Sequence, residues 1–418
     1  MAETALPAEA PPFQVAITDR LIGLKPYVLV GQLFVAIGAL TLFGAIQGQI
    51  AMDDTFYVLF GAIGCAVALL APRDAVRHVF ISLPLMLLYT YLICSVAWVT
   101  GFMPYRAAFQ QQVPMIIGAV FVSSILPFEK LVQALKAAFI FGILFSFYAV
   151  IVDATARIHE LDDGTTFSGW RGSFEHKNGL VPFVVFAAIT FAFFERRRWL
   201  RIAVMVSAAV LTIGSQSATG LSCVIVVASA AWWLHSYLKQ DLRLSGSYVA
   251  LSFFGAVALA LGITVALPWI VNLYGKDLTF TNRTDIWSAS VGGISDSPWI
   301  GYGWNGVWIE RDVEPTISLN REIGFEAGHA HNAVLEMLLQ GGFIGLTLYL
   351  VFFGSVVVAA WRALRTHPDI GRWVLLFITA QVIVGISEVT LYYGWIFTLV
   401  LMRGILAQQL STTTRART

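Results

Sequence analysis

The chain has 418 residues, of which 58% are hydrophobic, 12% charged and 13% aromatic, with a mean hydropathy of +0.75. A soluble globular protein carries about 25% charged residues, so this composition cannot coat a water-facing surface and a soluble enzyme is excluded. With 26 Lys and Arg against 25 Asp and Glu, the net charge is +1, which excludes a nucleic-acid binder as well. Cys65, Cys94 and Cys223 all lie in apolar runs and make no disulfide framework.

Met1 to Arg20 holds Glu3, Glu9 and several prolines and lacks the basic segment and short apolar core of a cleaved signal. The first span is therefore expected to be an uncleaved anchor. At about 20 mostly apolar residues per span, spans are predicted at 27–46, 55–71, 79–100, 108–126, 131–152, 179–194, 199–214, 219–238, 247–268, 343–360, 373–390 and 392–409. All twelve read as helices, because a segment in lipid must satisfy its own backbone polar groups. The fold class is thus an all-α polytopic membrane protein.

Charge orients the chain. With the N-terminus inside, 18 Lys and Arg fall on the cytoplasmic side and 8 on the other, the bias of the positive-inside rule. Both termini are expected to be cytoplasmic. The outer loops hold 15 acidic residues, so an arginine there needs a reason. The organisation reads as a cytoplasmic tail over 1–26, spans one to nine over 27–269 and an outer loop over 270–332. Spans ten to twelve follow over 333–410, then a second cytoplasmic tail over 411–418.

Two outer segments are long, about 153–178 and 270–332. Connections of that length are usually functional or disordered. Trp287, Trp299, Trp304 and Trp308, with Gly-rich turns, predict that the second is folded and rests at the interface. A short helix is predicted over Thr284 to Ile294, ended by Pro298. No paired pattern of Gly/Pro-interrupted spans marks inverted transporter repeats.

Three outer constellations can carry chemistry. In Arg171-Gly172-Ser173-Phe174-Glu175-His176-Lys177-Asn178, guanidinium forks and a helix start near Asn178 suit a phosphate. The alternative is juxtamembrane charge paired with Glu175 or lipid headgroups. In Thr281-Asn282-Arg283-Thr284-Asp285-Ile286-Trp287, Arg283 is a second outer guanidinium, alternatively held by Asp285. In Gly328-His329-Ala330-His331-Asn332, His331 stands at a helix start with Asn332 as its predicted N-cap. The positive potential at a helix start disfavours imidazolium, and a neutral imidazole at an outer face suits a general base. Alternatively His331 is a polar cap, or pairs with His329 on a metal, although two ligands do not make a site.

Gly301-Tyr302-Gly303-Trp304-Asn305-Gly306 spells a nucleotide-binding pattern but lacks its strand and helix, so it reads as turns. Asp53-Asp54 and Asp312-x-Glu314 read as solvated acidic loops, with divalent-cation binding as the alternative. Glu388, near the end of the eleventh span, reads as a partner for a neighbouring arginine.

Taken together, these residues resemble a family. His331-Asn332, nine residues, Gly342, two residues and Gly345 match the H-[NSQ]-x9-G-x-x-[GTY] signature of O-antigen ligases of the WaaL type. Arg171-Gly-x-Phe with Asn178, Asn282-Arg283-x-x-x-Trp287, Ser297-Pro-Trp-Ile-Gly301-Tyr-Gly303 and Gly214-Ser215-Gln216-Ser217 resemble other patterns of that Wzy-like superfamily. Asn282 departs from the glycine usual at its position. The resemblance covers roughly residues 165–410.

It implies a GT-C-like membrane glycosyltransferase that inverts configuration without metal or cofactor, in the bacterial inner membrane with a periplasmic site. The implied donor is an O-antigen polysaccharide on undecaprenyl diphosphate and the acceptor a sugar hydroxyl of lipid A–core. Membrane lipids surround the chain, and no nucleic acid takes part. His331 would be the base, and Arg171 and Arg283 the diphosphate clamps. Lys177, His176, His329 and Asn332 are further substrate-binding candidates. The alternatives are a Wzy-type polymerase, an O-linked protein oligosaccharyltransferase and, outside enzymes, a lipid-linked sugar transporter or flippase.

Overall fold

The computed structural model describes residues 26–42, 54–69, 83–160, 166–239, 283–390 and 393–415. Apolar runs become helices in chain order: α1 Pro26–Leu42, α2 Asp54–Leu69, α3 Leu83–Ser95, α4 Met103–Ile125 and α5 Phe128–Val152. Next come α6 Lys177–Phe194, α7 Arg198–Ser215 and α8 Ala218–Lys239. The outer segment contributes α9 Arg283–Asp296 and α10 Thr316–Ile323, and the chain returns through α11 Ala333–Ala363, α12 Pro368–Gly385 and α13 Tyr393–Arg415. Eleven of the twelve predicted spans coincide with these helices, and the stretch 247–268 lies outside the described residues.

Among the described residues, seven helices are long and apolar enough to cross a membrane: α4, α5, α6, α7, α8, α11 and α12. The protein is a polytopic helical membrane protein, with one departure from the all-α expectation. A small antiparallel hairpin, β1 Ile158–Glu160 and β2 Thr166–Ser168, forms before α6 and pairs Ile158 with Ser168. The reason is local: a short outer segment has no lipid forcing it into helix, so a two-strand ladder can satisfy its backbone.

The bundle is held by close packing. Here α2 lies against α4, α1 against α5, α6 against α7, and α11 against both α3 and α12. Phe34 stacks on Phe60 with ring centroids 4.3 Å apart. Gly64 of α2 and Gly118 of α4 meet backbone to backbone, where a Cβ on Gly64 would lie 2.5 Å from the Gly118 Cα. Small residues permit that approach between membrane helices. In the core, Trp373 Nε1 donates to Thr190 Oγ1 at 3.0 Å, tying α12 to α6. Leu144, Ile151, Trp199, Ile213 and Trp232 point outward, as a lipid-facing surface requires.

The outer segment has a core of its own, in which Ile286, Ala289, Val307, Trp308, Leu319, Ile323, Ala327 and Ala330 pack with Leu339 of α11. The predicted helix over 284–294 is α9, and the Gly301–Gly306 stretch is a series of turns with positive φ at Gly301 and Gly303. This cap is locked onto the bundle where α11 breaks. Gly342 adopts φ 59° and ψ −163° inside the helix, a conformation essentially reserved for glycine. Phe343 and Ile344 then donate to the carbonyls of Pro298 and Trp299, at 2.8 and 3.1 Å. The carbonyls of Leu339 and Gln340 accept from Tyr302 and Gly303, at 2.8 and 2.9 Å. A Cβ at Gly342 would lie 2.3 Å from the Trp299 carbonyl.

Candidate functional site

The site forms where the starts of α6, α9 and α11 meet the segment after α12. Each start is set by its own sequence. Asn332 caps α11, its Oδ1 accepting from Val334 N at 2.9 Å and Leu335 N at 3.1 Å, as the sequence predicted. Its Nδ2 donates to the Ile386 carbonyl at 3.1 Å, so the cap also pins the segment carrying Glu388. His176 caps α6, its Nδ1 accepting from Asn178 N at 3.2 Å. His331, one residue before the α11 cap, has φ 48°, a left-handed conformation that costs an L-residue about 1–2 kcal/mol.

Glu388 is the hub. Its Oε1 accepts from Arg283 Nη2 at 2.6 Å and from Asn178 Nδ2 at 2.7 Å. Its Oε2 lies 3.4 Å from His331 Nδ1. The alternative pairing of Arg283 with Asp285 is therefore corrected: the guanidinium turns away from its own helix to the carboxylate after α12. Asp285 sits in the same helical turn as Arg283 and is exposed, whereas the Glu388 side chain is 17% exposed, so the cation compensates more of its desolvation. Glu388 as an arginine's partner agrees with the sequence reading.

Asn178 carries the network further, because Ser217 Oγ donates to Asn178 Oδ1 at 2.9 Å. That places the Gly214–Ser217 turn behind the hub. Gln216 turns the chain there with φ 50°, and Trp170 N donates to the Gly214 carbonyl at 2.8 Å. Two segments noted separately in the sequence are thus one structural unit.

Electrostatics follow from this packing. Burial alone would push the Glu388 carboxyl up, but the adjoining His331 imidazole, the Arg283 guanidinium and His329 outweigh it and hold it down at about 2. His329 goes the other way. Burial, then the neighbouring His331, outweigh the pull of Glu388 and lower it to about 4, with Arg283 and His176 adding to the effect. His329 is thus neutral at neutral pH. Its Nδ1 accepts from the His331 backbone N–H at 3.2 Å, and the two rings lie 3.9 Å apart.

Arg171 is held differently. Its Nε donates to the Thr155 carbonyl at 3.0 Å, Nη1 to the Phe174 carbonyl at 2.8 Å and Nη2 to Thr155 Oγ1 at 2.8 Å. Asp153 Oδ2 lies 3.8 Å from Nη2. These partners replace the juxtamembrane pairing with Glu175 considered from sequence. Lys177 is buried in the first turn of α6, and His176 is exposed beside it.

The structure therefore brings His331, His329, Arg283, Asn332 and Glu388 into one cluster, with Asn178 and Ser217 behind it. A carboxylate-backed imidazole beside a guanidinium can take a proton while the cation stabilises a neighbouring anion. His329, His331 and Glu388 also place ligand atoms within 4.8 Å of one another, a set that could hold a metal ion. Asp312 and Glu314 stay exposed, as expected of a solvated loop. Asn282 and Asp53 lie outside the described residues.

Residues 201–350 match the O-antigen ligase family Wzy_C. Over 236 residues the chain is 30% identical to the exopolysaccharide production protein ExoQ of Rhizobium meliloti (strain 1021), covering 51% of this chain and 54% of ExoQ. It is 28% identical over 138 residues to an O-antigen ligase of Pseudomonas aeruginosa (strain PAO1), covering 32% of this chain and 31% of that protein. The matched stretch thus spans about half the length of the first relative and under a third of the second.

Proposed function

We propose, from the match of residues 201–350 to the O-antigen ligase family and the two partial relatives, a glycosyltransferase that moves an O-antigen polysaccharide from undecaprenyl diphosphate to a sugar hydroxyl of lipid A–core. Transfer takes place at the periplasmic face of the bacterial inner membrane. The proposed frame is twelve spans of GT-C-like arrangement with both termini cytoplasmic and the outer loop covering the site.

The observation that carries this reading is the cluster itself: His331 Nδ1 lies 3.4 Å from one oxygen of Glu388, and Arg283 is hydrogen-bonded at 2.6 Å to the other. With Nδ1 turned to the carboxylate, Nε2 is the nitrogen that faces substrate. It takes the proton of the acceptor hydroxyl, and the acceptor oxygen attacks the anomeric carbon from the face opposite the diphosphate. The bond from that carbon to the diphosphate oxygen breaks, and the electron pair leaves with undecaprenyl diphosphate. Configuration inverts. Glu388 stabilises the imidazolium formed, as a carboxylate behind a base does. Arg283 neutralises the departing diphosphate, and Arg171 adds a second guanidinium for it. His176, Lys177 and His329 border the donor.

The reaction is proposed to be metal-independent. The Arg283 guanidinium at 2.6 Å already supplies the positive charge Glu388 needs, and a cation on the same carboxylate would be repelled by it. Full transfer in chelator supports this; loss restored by one divalent ion overturns it.

A second reading is favoured by one observation, the longer match to an exopolysaccharide production protein. The same chemistry then serves a Wzy-type polymerase, whose acceptor is the sugar end of another lipid-linked chain. Reconstitution of the purified protein with the lipid-linked donor, offering lipid A–core and a second lipid-linked chain in separate reactions, tests both. Product on lipid A–core supports the ligase. Elongation of the lipid-linked chain alone supports the polymerase, and no product with either overturns glycosyl transfer.

A further inference from the structure

Glu336 sits in the first turn of α11 and is 1% exposed. A carboxylate buried in an apolar helix needs firm partners. Its Oε2 accepts from the Ala330 backbone N–H at 2.7 Å, and its Oε1 accepts from Gln340 Nε2 at 2.7 Å. The orientation of Gln340 is set from its other side, where Oε1 accepts from Asn305 N at 3.0 Å. Asn305 Oδ1 in turn accepts from Gln112 Nε2 at 3.0 Å. A buried line of hydrogen bonds therefore runs from α4 through the outer cap and α11 to Ala330.

Ala330 is the residue between His329 and His331, and it is fully buried. Its carbonyl is held from the opposite direction by Trp287 Nε1 at 3.1 Å. The peptide unit before Ala330 is thus fixed through its N–H and the one after it through its C=O. His331 follows at once with φ 48°, a conformation that persists only when its surroundings impose it.

We propose that Glu336 is a positioning residue for His331: through the Ala330 amide it holds the His-Ala-His turn in the geometry that aims the imidazole at the acceptor. This rests on the reading of His331 as the base. Glu336 itself touches no reacting atom. Gln340, Asn305 and Gln112 orient it, and Trp287 is the second arm of the clamp.

The purified full-length protein, given a lipid-linked donor and the acceptor found productive, tests this. Glu336→Gln places an amide NH2 against either Ala330 N–H or Gln340 Nε2. A misplaced base predicts a fall in kcat of about 10- to 100-fold, with KM unchanged within about twofold. The exchange Glu336→Gln with Gln340→Glu rebuilds every bond: the Ala330 and Asn305 N–H groups still donate to a side-chain oxygen, and only the bond between positions 336 and 340 reverses its direction. It is expected to return kcat to within about threefold of wild type, a coupling that independent sites do not show.

A second readout does not depend on transfer. The rate at which diethyl pyrocarbonate modifies His331, read by mass spectrometry against His176, should change in Glu336→Gln and return in the exchange variant. Wild-type kcat and reactivity in Glu336→Gln, or an exchange variant no better than the single one, overturns the proposal. If Glu336→Gln fails to accumulate, Trp287→Phe removes the other arm, and normal kcat with normal His331 reactivity there also overturns it. Retained transfer in His331→Ala overturns the base reading alone, and the modification rates then decide the role of Glu336.

Discussion

The segments carrying Arg171 and Arg283 look alike in sequence, each an outer arginine near a helix start, yet the fold uses them differently. Arg171 is a staple: its guanidinium joins Thr155 to Phe174 through backbone and hydroxyl oxygens. Arg283 is hydrogen-bonded, among the described residues, to the carboxylate that also faces His331. A cation bound mostly to neutral oxygens keeps its charge but gives up its geometry. A cation sharing a carboxylate with a base has its charge balanced in the same place as the reaction. In the proposed reaction both arginines face the diphosphate, but Arg171 is fixed mainly by neutral oxygens and Arg283 by the carboxylate that also faces the proposed base.

The comparison is sharpest at its centre. His331→Ala should lower transfer by about 100- to 10,000-fold, the usual share of a general base, with membrane insertion and protein level unchanged. Retained transfer would remove the active side of the contrast. Gly342→Ala attacks the docking of the segment that carries Arg283. The added Cβ meets the Trp299 carbonyl at 2.3 Å, and undocking the cap should lower both transfer and protease resistance of the outer segment. Strain at such a position is worth about 1–3 kcal/mol, so wild-type protease resistance would show that the kink is not what holds the cap.

Glu388→Gln keeps the size of the hub and removes its charge, leaving Arg283 and the His331 imidazole without their common anion. We expect kcat to fall about 10- to 100-fold, the effect of a reacting group left misplaced, read by steady-state kinetics. The arginines then divide. Arg283→Lys should lower kcat with thermal stability near wild type, because a lysine keeps the charge and loses the fork. Arg171→Lys should lower thermal stability first, by about 1–3 kcal/mol for hydrogen bonds from a charged donor, with a weaker donor KM. Equal profiles for the two variants would erase the distinction. Smallest of all, Ser217→Ala removes one bond to Asn178, about 1 kcal/mol, and should change kcat by less than tenfold.

Periodicity and charge made much of this legible. Apolar runs of span length predicted helices that the structure contains at eleven positions, because in lipid the backbone of such a run has no other way to bond itself. Asn332 was readable as a cap and α9 as a helix for equally local reasons. The signature residues His331, Asn332 and Gly342 were visible as letters, but the reason for the glycine was not. It opens α11 so that residues 298–303 can dock, and that is a contact between distant segments.

Glu388 was legible as an acid near the end of an apolar run and as an arginine's partner, and Glu336 carries the same signal, an acid inside an apolar run. What sequence by itself determined is therefore what the solvent imposes: apolar runs of span length that become helices. Tertiary structure alone decided which carboxylate each arginine meets, that Arg283 turns to Glu388 and not to Asp285, and that Arg171 is stapled to Thr155. The physical reason is that a buried charge chooses its partner by burial and reach in three dimensions, and proximity along the chain measures neither.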